Sequence, residues 1–335
     1  MSGGPGRPSG KSRKMLIKLM GSPENLVKSA EKLALSLETG SENNLSRLLD
    51  SLEAPPSRCL ACGKALPPVI ARFPRKSYYR CQDCGITGLY RFEKTPEDEY
   101  GTAYFQEEYK KQYGKSYLED FQHIKSIGVS RLELISRRGK EGGTMLDIGC
   151  AFGPFLEAAR EAGFHPHGID ISPDAAAYVR DTLGIPAVSA VFPGEKPESM
   201  FPGKTFDIIT LWYVIEHFTD LQTVLSAVNR LLKQHGVLAL STPNAAGISA
   251  RRSLHRFLRK SPGDHYSIWT PETSVKLLSR YGFKVYKIKV TGHHPERFGL
   301  FPKSRFFQSF LGLISRLFAL GDTFEVYAVK EHSLV

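Results

Sequence analysis

Residues 146–155, LDIGCAFGPF, together with HGIDIS at 167–172, constrain this chain more than any other stretch. An apolar run ends in an acid, Asp147. A loop from Gly149 to Gly153 then turns directly into a helix, which Pro154 can open because proline at the first helical position sacrifices no hydrogen bond. A second apolar run ends in another acid, Asp170. Strand, glycine turn, helix and strand in this order begin a doubly wound parallel sheet.

The alternation continues to the carboxyl end. Strands are expected at 144–148, 166–170, 186–190, 206–212, 236–242, 283–290 and 323–330. Between them lie a helix from Pro154 to about Ala162, one capped by Ser172-Pro173 and ending at Gly184, one over 219–233 and one over 271–281 closed by Gly282. FDIITLW at 206–212 is apolar enough to be buried on both faces. The expected fold is α/β: a doubly wound, mostly parallel seven-stranded sheet over 141–335.

The glycine loop has the geometry to bring backbone N–H groups against a ligand. A dinucleotide site would read G-x-G-x-x-G. Here three residues separate Gly149 from Gly153, and Asp147 sits two positions ahead of Gly149. A negative charge there repels a pyrophosphate and suits a cationic ligand with an amino group. Asp170, at the end of the second strand, is placed for ribose hydroxyls.

LDIGCAFG at 146–153, GIDIS at 168–172, FDIITLWYVIEHFTD at 206–220 and LLKQHGVLALSTPN at 231–244 together resemble the class I S-adenosylmethionine-dependent methyltransferases. The similarity is greatest to the branch of ubiquinone-pathway O-methyltransferases and deoxysugar C-methyltransferases. The resemblance implies S-adenosylmethionine as cofactor, with contacts from Asp147, Gly149, Cys150, Gly153, Asp170, Ile171 and Leu211. Two departures stand out. Ala151 occupies a position where many members have glycine, and Val188–Phe192 lacks the acid that often meets the adenine. Cys150 itself reads as a small filler rather than a nucleophile.

After the fourth strand comes Trp212-Tyr213-Val214-Ile215-Glu216-His217. It carries neither the Pro-Pro-aromatic turn of many base-amine methyltransferases nor the paired glutamates of protein arginine methyltransferases. Methyl transfer to an alcohol or carbon acid requires a base poised near neutral pH. The candidates are His217, with Glu216 beside it, and His265 in GDHYSIWTP at 263–271. The other reading is that Glu216 and His217 cap or pack against the helix at 219–233.

Cys59-x-x-Cys62 and Cys81-x-x-Cys84, each followed by glycine, match a four-thiolate zinc site. Four cysteines leave no open coordination position, so such a zinc would be structural. Two disulfides or uncoordinated thiols are the alternatives. The 57–92 zinc-ribbon module has two uses. Arg72, Arg75, Lys76 and Arg80 with Tyr78 and Tyr79 would suit RNA. The order of zinc module, Tyr-rich linker and catalytic domain instead resembles the deoxysugar enzymes, which implies a small-molecule or glycan acceptor.

The remaining segments are read as follows. Residues 1–14 form a basic disordered tail and 15–56 a helical appendage. Residues 93–140 form a Tyr-rich helical linker, with Tyr100, Tyr104, Phe105, Tyr109, Tyr113, Tyr117 and Phe121 making a stripe that is either a lid or docked on the main domain. RRSLHRFLRK at 251–260 is an exposed basic helix. The apolar stretch 304–320 packs over the sheet, joins a second copy or touches a membrane surface. The net charge of +11 is uneven, with an acidic middle between basic flanks. It suits an anionic partner such as nucleic acid, a sugar acid or a lipid surface. With no secretory signal and no long apolar run, a cytoplasmic location is expected.

Overall fold

The computed structural model describes residues 57–65, 69–91, 109–110, 114–138, 142–194, 197–298 and 305–334. The tail and appendage expected over 1–56, and Tyr100, Tyr104, Phe105 and Tyr113, lie outside the described residues.

Seven strands form the main sheet: β4 (Thr144–Ile148), β5 (His165–Asp170), β6 (Ala187–Ser189), β7 (Phe206–Trp212), β8 (Leu232–Pro243), β10 (Phe283–Thr291) and β11 (Thr323–Lys330). Their spatial order is β10-β11-β8-β7-β4-β5-β6. The β4, β5, β6, β7 and β8 neighbours pair in parallel, whereas β11 runs antiparallel to both β8 and β10. The chain goes from β4 to β5 on one side and later returns to β7 on the other. This reversal opens a crevice beyond the carboxyl ends of β4 and β7, where open α/β sheets take their ligands.

Period-two alternation sorts the central strands onto two cores. Ile209, Leu211, Leu238 and Leu240 face one layer with α5 (Leu221–Leu231) and α8 (Pro271–Arg280). Met145, Ile208, Val237 and Ala239 face the other, formed by α1 (Phe121–Ser136) and α2 (Pro154–Glu161). α1 thus docks on the main domain through Leu132 and Ile135. The aromatic stripe does not continue as one helix into it. Residues 114–120 form a turn in which Gly114 has φ 74°, and Tyr117 packs against Phe152.

The second crossover helix also departs from expectation. It is α-helical only over α3 (Pro173–Ala177), then widens into a π turn over Tyr178–Thr182. The wider turn sets Tyr178 against Phe152, 5.5 Å between rings, and Val179 beneath the glycine loop. A short helix, α4 (Pro197–Met200), precedes β7.

The cysteine region folds as β1 (Val69–Arg72), β2 (Lys76–Arg80) and β3 (Thr87–Arg91). Its sheet is completed by β9 (Ser267–Ile268), contributed from beyond β8 in the chain. The 251–260 segment is two short helices, α6 (Ile248–Arg252) and α7 (Leu254–Lys260), split where the Ser253 hydroxyl accepts from Arg256 N and caps α7. It is not wholly exposed, because Leu258 is buried among Phe73, Tyr78, Leu89 and Ile268. α9 (Arg305–Leu317) buries Leu311 and leaves Phe310, Leu313 and Leu317 largely exposed. Among the described residues no helix is long and apolar enough to cross a membrane.

Candidate active site

The β4–α2 loop is built for close approach. Gly149 and Gly153 have φ 73° and 79°, and a Cβ on Gly149 would lie 2.4 Å from a Val214 methyl. Ala151 adopts the same left-handed region, φ 48°, and its N–H donates to Asp170 Oδ2 at 2.8 Å. Ser172 N–H donates to the other Asp170 oxygen, also at 2.8 Å. Asp170 therefore pins the loop that carries Ala151, and alanine is accommodated there. Each of its oxygens retains a lone pair for a ligand.

Asp147 is buried at the floor of the crevice, where the Thr210 hydroxyl donates to it at 2.6 Å. Burial pushes its carboxyl up to about 7, against the Thr210 bond and the Arg131 charge, with the Asp170 charge pushing further up. Burial also raises Asp170, opposed by its two backbone donors. Two carboxylates short of water in one cleft favour an incoming cation. Of the other expected contacts, Ile171 is exposed beside Asp170, and Leu211 is fully buried in the core. Cys150 faces inward, where a Cβ on Gly168 would meet its sulfur at 2.7 Å. Burial raises its thiol well above the ordinary value, consistent with a filler.

Val214 leads from the glycine loop into the acid–base candidates. Glu216 and His217 lie on a single 3-10 turn, Ile215–His217. Glu216 is buried, and its Oε2 has no hydrogen-bond partner among the described residues. Burial raises it to about 7. The His217 and His265 rings meet edge to face at 4.8 Å. His217 Nδ1 lies 3.3 Å from Asp264 Oδ2. Burial alone would lower His217, but Asp264 and the Glu216 charge outweigh it and hold the imidazole above its usual value. His265 is carried down to about 3 by burial and by the His217 charge. The two histidines expected from sequence are thus together but unequal: His217 is the stronger base, and His265 is a neutral neighbour.

Two residues of this cluster were not singled out from the sequence. Asp264 lies 47 positions from its histidine and carries no local signal beyond its place in GDHYSIWTP. Tyr213, the residue just after β7, has φ 59°, a left-handed conformation unusual for a bulky residue. It is held there by its N–H bonding to Ser241 O at 3.0 Å and to Ser241 Oγ at 3.1 Å.

The cysteine sulfurs of Cys59, Cys62, Cys81 and Cys84 all lie within 4.8 Å of one another, with Cys59–Cys84 at 3.7 Å and Cys62–Cys81 at 3.5 Å. No disulfide forms. Gly63 and Gly85 take φ 68° and 82°, closing both knuckles, and Ala61 N–H donates to Cys59 sulfur at 3.4 Å. Tyr78 and Tyr79 are buried, so neither ring offers a face on which an RNA base could stack. The knuckles grip the main domain at several places, one of them the Arg280 guanidinium donating to Asp83 O at 3.0 Å. Leu221 N–H donates to Leu60 O at 3.0 Å, just after the His217 turn, and the Tyr281 hydroxyl donates to Ala61 O at 2.6 Å.

The chain is similar to several known proteins. A ubiquinone biosynthesis O-methyltransferase of Pseudomonas paraeruginosa is 33% identical over 129 residues, covering 37% of this chain and 55% of that protein. The protein of the same name from Methylococcus capsulatus is 32% identical over 148 residues, 43% of this chain and 59% of that protein. The similarity therefore spans little more than half the length of these relatives. A solved S-adenosylmethionine-dependent methyltransferase from Archaeoglobus fulgidus aligns with a TM-score of 0.48 at 22% identity, over 66% of this chain and 98% of that one. The family model described as a methyltransferase domain matches residues 121–288. That match covers half of the chain, from the start of α1 into β10, and the protein belongs to the methyltransferase-domain family.

Proposed function

We propose that this protein transfers a methyl group from S-adenosylmethionine to a hydroxyl or an acidic carbon of a small molecule. The observation that carries this reading is the contact between Gly149 and Val214. It sets the cofactor loop directly against the turn that bears Glu216 and His217.

The residues present fit the cofactor. Asp147, buried and raised, would receive the ammonium, and Asp170 the ribose hydroxyls. When bound, S-adenosylmethionine supplies a methyl group on a positively charged sulfur. The protein aligns the acceptor and takes its proton. His217 is the group suited to that proton, because Nδ1 is engaged by Asp264 and the neutral ring then carries its lone pair on Nε2. His265, held neutral, contributes shape and a polar edge rather than basicity.

We infer that the four cysteines hold zinc. Zinc–sulfur bonds of about 2.3 Å imply tetrahedral edges of about 3.8 Å, close to the 3.5 and 3.7 Å separations of the two paired sulfurs. With four thiolates the metal is structural. The acceptor is a small molecule, and the sugar type fits the cysteine sheet set beside the acid–base cluster. The buried Tyr78 and Tyr79 argue against the RNA alternative.

The test is a transfer assay with a tritiated methyl donor against keto- and hydroxy-sugars, phenols and RNA. Label should enter a small molecule, and His217→Ala should lower kcat by roughly 10²–10⁴-fold with cofactor affinity kept. Label entering RNA alone would overturn the reading.

A further inference from the structure

We propose that Asp264 is the positioning residue for His217, fixing the tautomer and protonation of that imidazole from a turn anchored by the cysteine sheet. The inference rests on the reading of His217 as the proton-accepting group.

Three observations converge. Asp264 Oδ2 stands 3.3 Å from His217 Nδ1, and both side chains are largely buried. A carboxylate there keeps the ring proton on Nδ1, leaves the lone pair of the neutral ring on Nε2, and stabilises the imidazolium once a proton is taken. This is the division of labour in carboxylate–histidine pairs generally.

The second is the placement of the turn. Residues 261–266 are tied to the cysteine sheet from several sides. Lys76 Nζ on β2 donates to Ser261 O, Leu89 N–H on β3 donates to Tyr266 O at 2.9 Å, and β9 follows at once as the fourth strand of that sheet. His217 belongs to the main domain, so the pair is made across two sheets. The cysteine sheet thereby acts as a mount for half of the acid–base site. This accounts for the chain's return to it at β9 in the middle of the catalytic domain.

The third is the charge environment. Glu216 faces His217 from its own turn, His265 and Asp264 from the 261–266 turn, and Lys76 from β2 lies near His265. Burial raises Glu216 to about 7, and His265 is neutral, so Asp264 is the fully ionised partner, held down to about 2 by the His217 bond despite its burial.

Histidine-labelled full-length protein, with His217 assigned through His217→Gln, provides the test by NMR titration. In Asp264→Asn the His217 midpoint should fall by about one pH unit or more. The acidic limb of the kcat profile should move down with it, kcat should drop about tenfold or more, and Asp264→Glu should recover part of the loss. An unmoved His217 midpoint in folded Asp264→Asn overturns the proposal. A moved midpoint with an unmoved rate profile supports the Asp264–His217 pair and overturns His217 as the base. Should the variant fail to fold, wild-type protein alone decides. Nitrogen shifts that place the neutral ring's proton on Nδ1 support the pair, and a proton on Nε2 overturns it.

Discussion

Asp147 holds a carboxyl in a place where charge is costly, and that cost has a direction. A folded-state value of about 7 lies far above the ordinary carboxylate range, so the unliganded protein prefers Asp147 protonated and loses stability as pH rises from about 4 through 7. A cationic ligand binds the ionised form and reverses that preference. Cofactor affinity should therefore rise roughly five- to tenfold between about pH 6 and 7.5, as measured by calorimetry. Asp147→Asn should bind at least about tenfold more weakly and flatten the pH dependence. Asp147 and Asp170 stand out in the sequence because each lies at the carboxyl end of a strand of its own, at a spacing set by one crossover. Asp264 does not, because its meaning comes from a contact with His217 that only the folded chain makes.

Among the elements, β4 and β7 fall where their apolar runs begin and end, whereas β8 starts at Leu232, four residues ahead of the expected strand and inside the helix expected over 219–233. The failures have local causes. The second crossover helix widens into a π turn to pack Tyr178 on Phe152, a tertiary demand that no propensity reports. Ser253 caps a new helix and divides the basic segment, and Leu258 turns inward to meet the cysteine sheet. The two residues of β9 are too few for any periodicity, yet they join the sheets. With zinc held by the four cysteines as proposed, a module with so small a core would depend on that metal for its fold. Chelation, or Cys81→Ser, should release about one zinc per chain and speed amide exchange at Tyr266 to Ile268. It should lower kcat about tenfold or more while cofactor affinity stays within about twofold, because the glycine loop is held by Asp170 and not by the cysteine sheet. Unchanged exchange at those amides would contradict the role assigned to β9.

Among the described residues, the molecule is a seven-stranded sheet of the methyltransferase-domain family with a four-stranded cysteine sheet whose β9 lies against the Ile215–His217 turn. The sequence carries no sign that the cysteine sheet borrows a strand from beyond β8. The uneven +11 admitted an anionic polymer as partner, while the burial of Tyr78 and Tyr79 removes the aromatic faces such a partner would use. Everything proposed about the acceptor depends on the crevice between β4 and β7 taking S-adenosylmethionine. The most direct measurement is calorimetric titration of the full chain with S-adenosylmethionine and S-adenosylhomocysteine at neutral pH. Saturable binding of one molecule per chain, weakened by Asp147→Asn, is the predicted result. No heat of binding and no thermal stabilisation with either ligand would contradict the account.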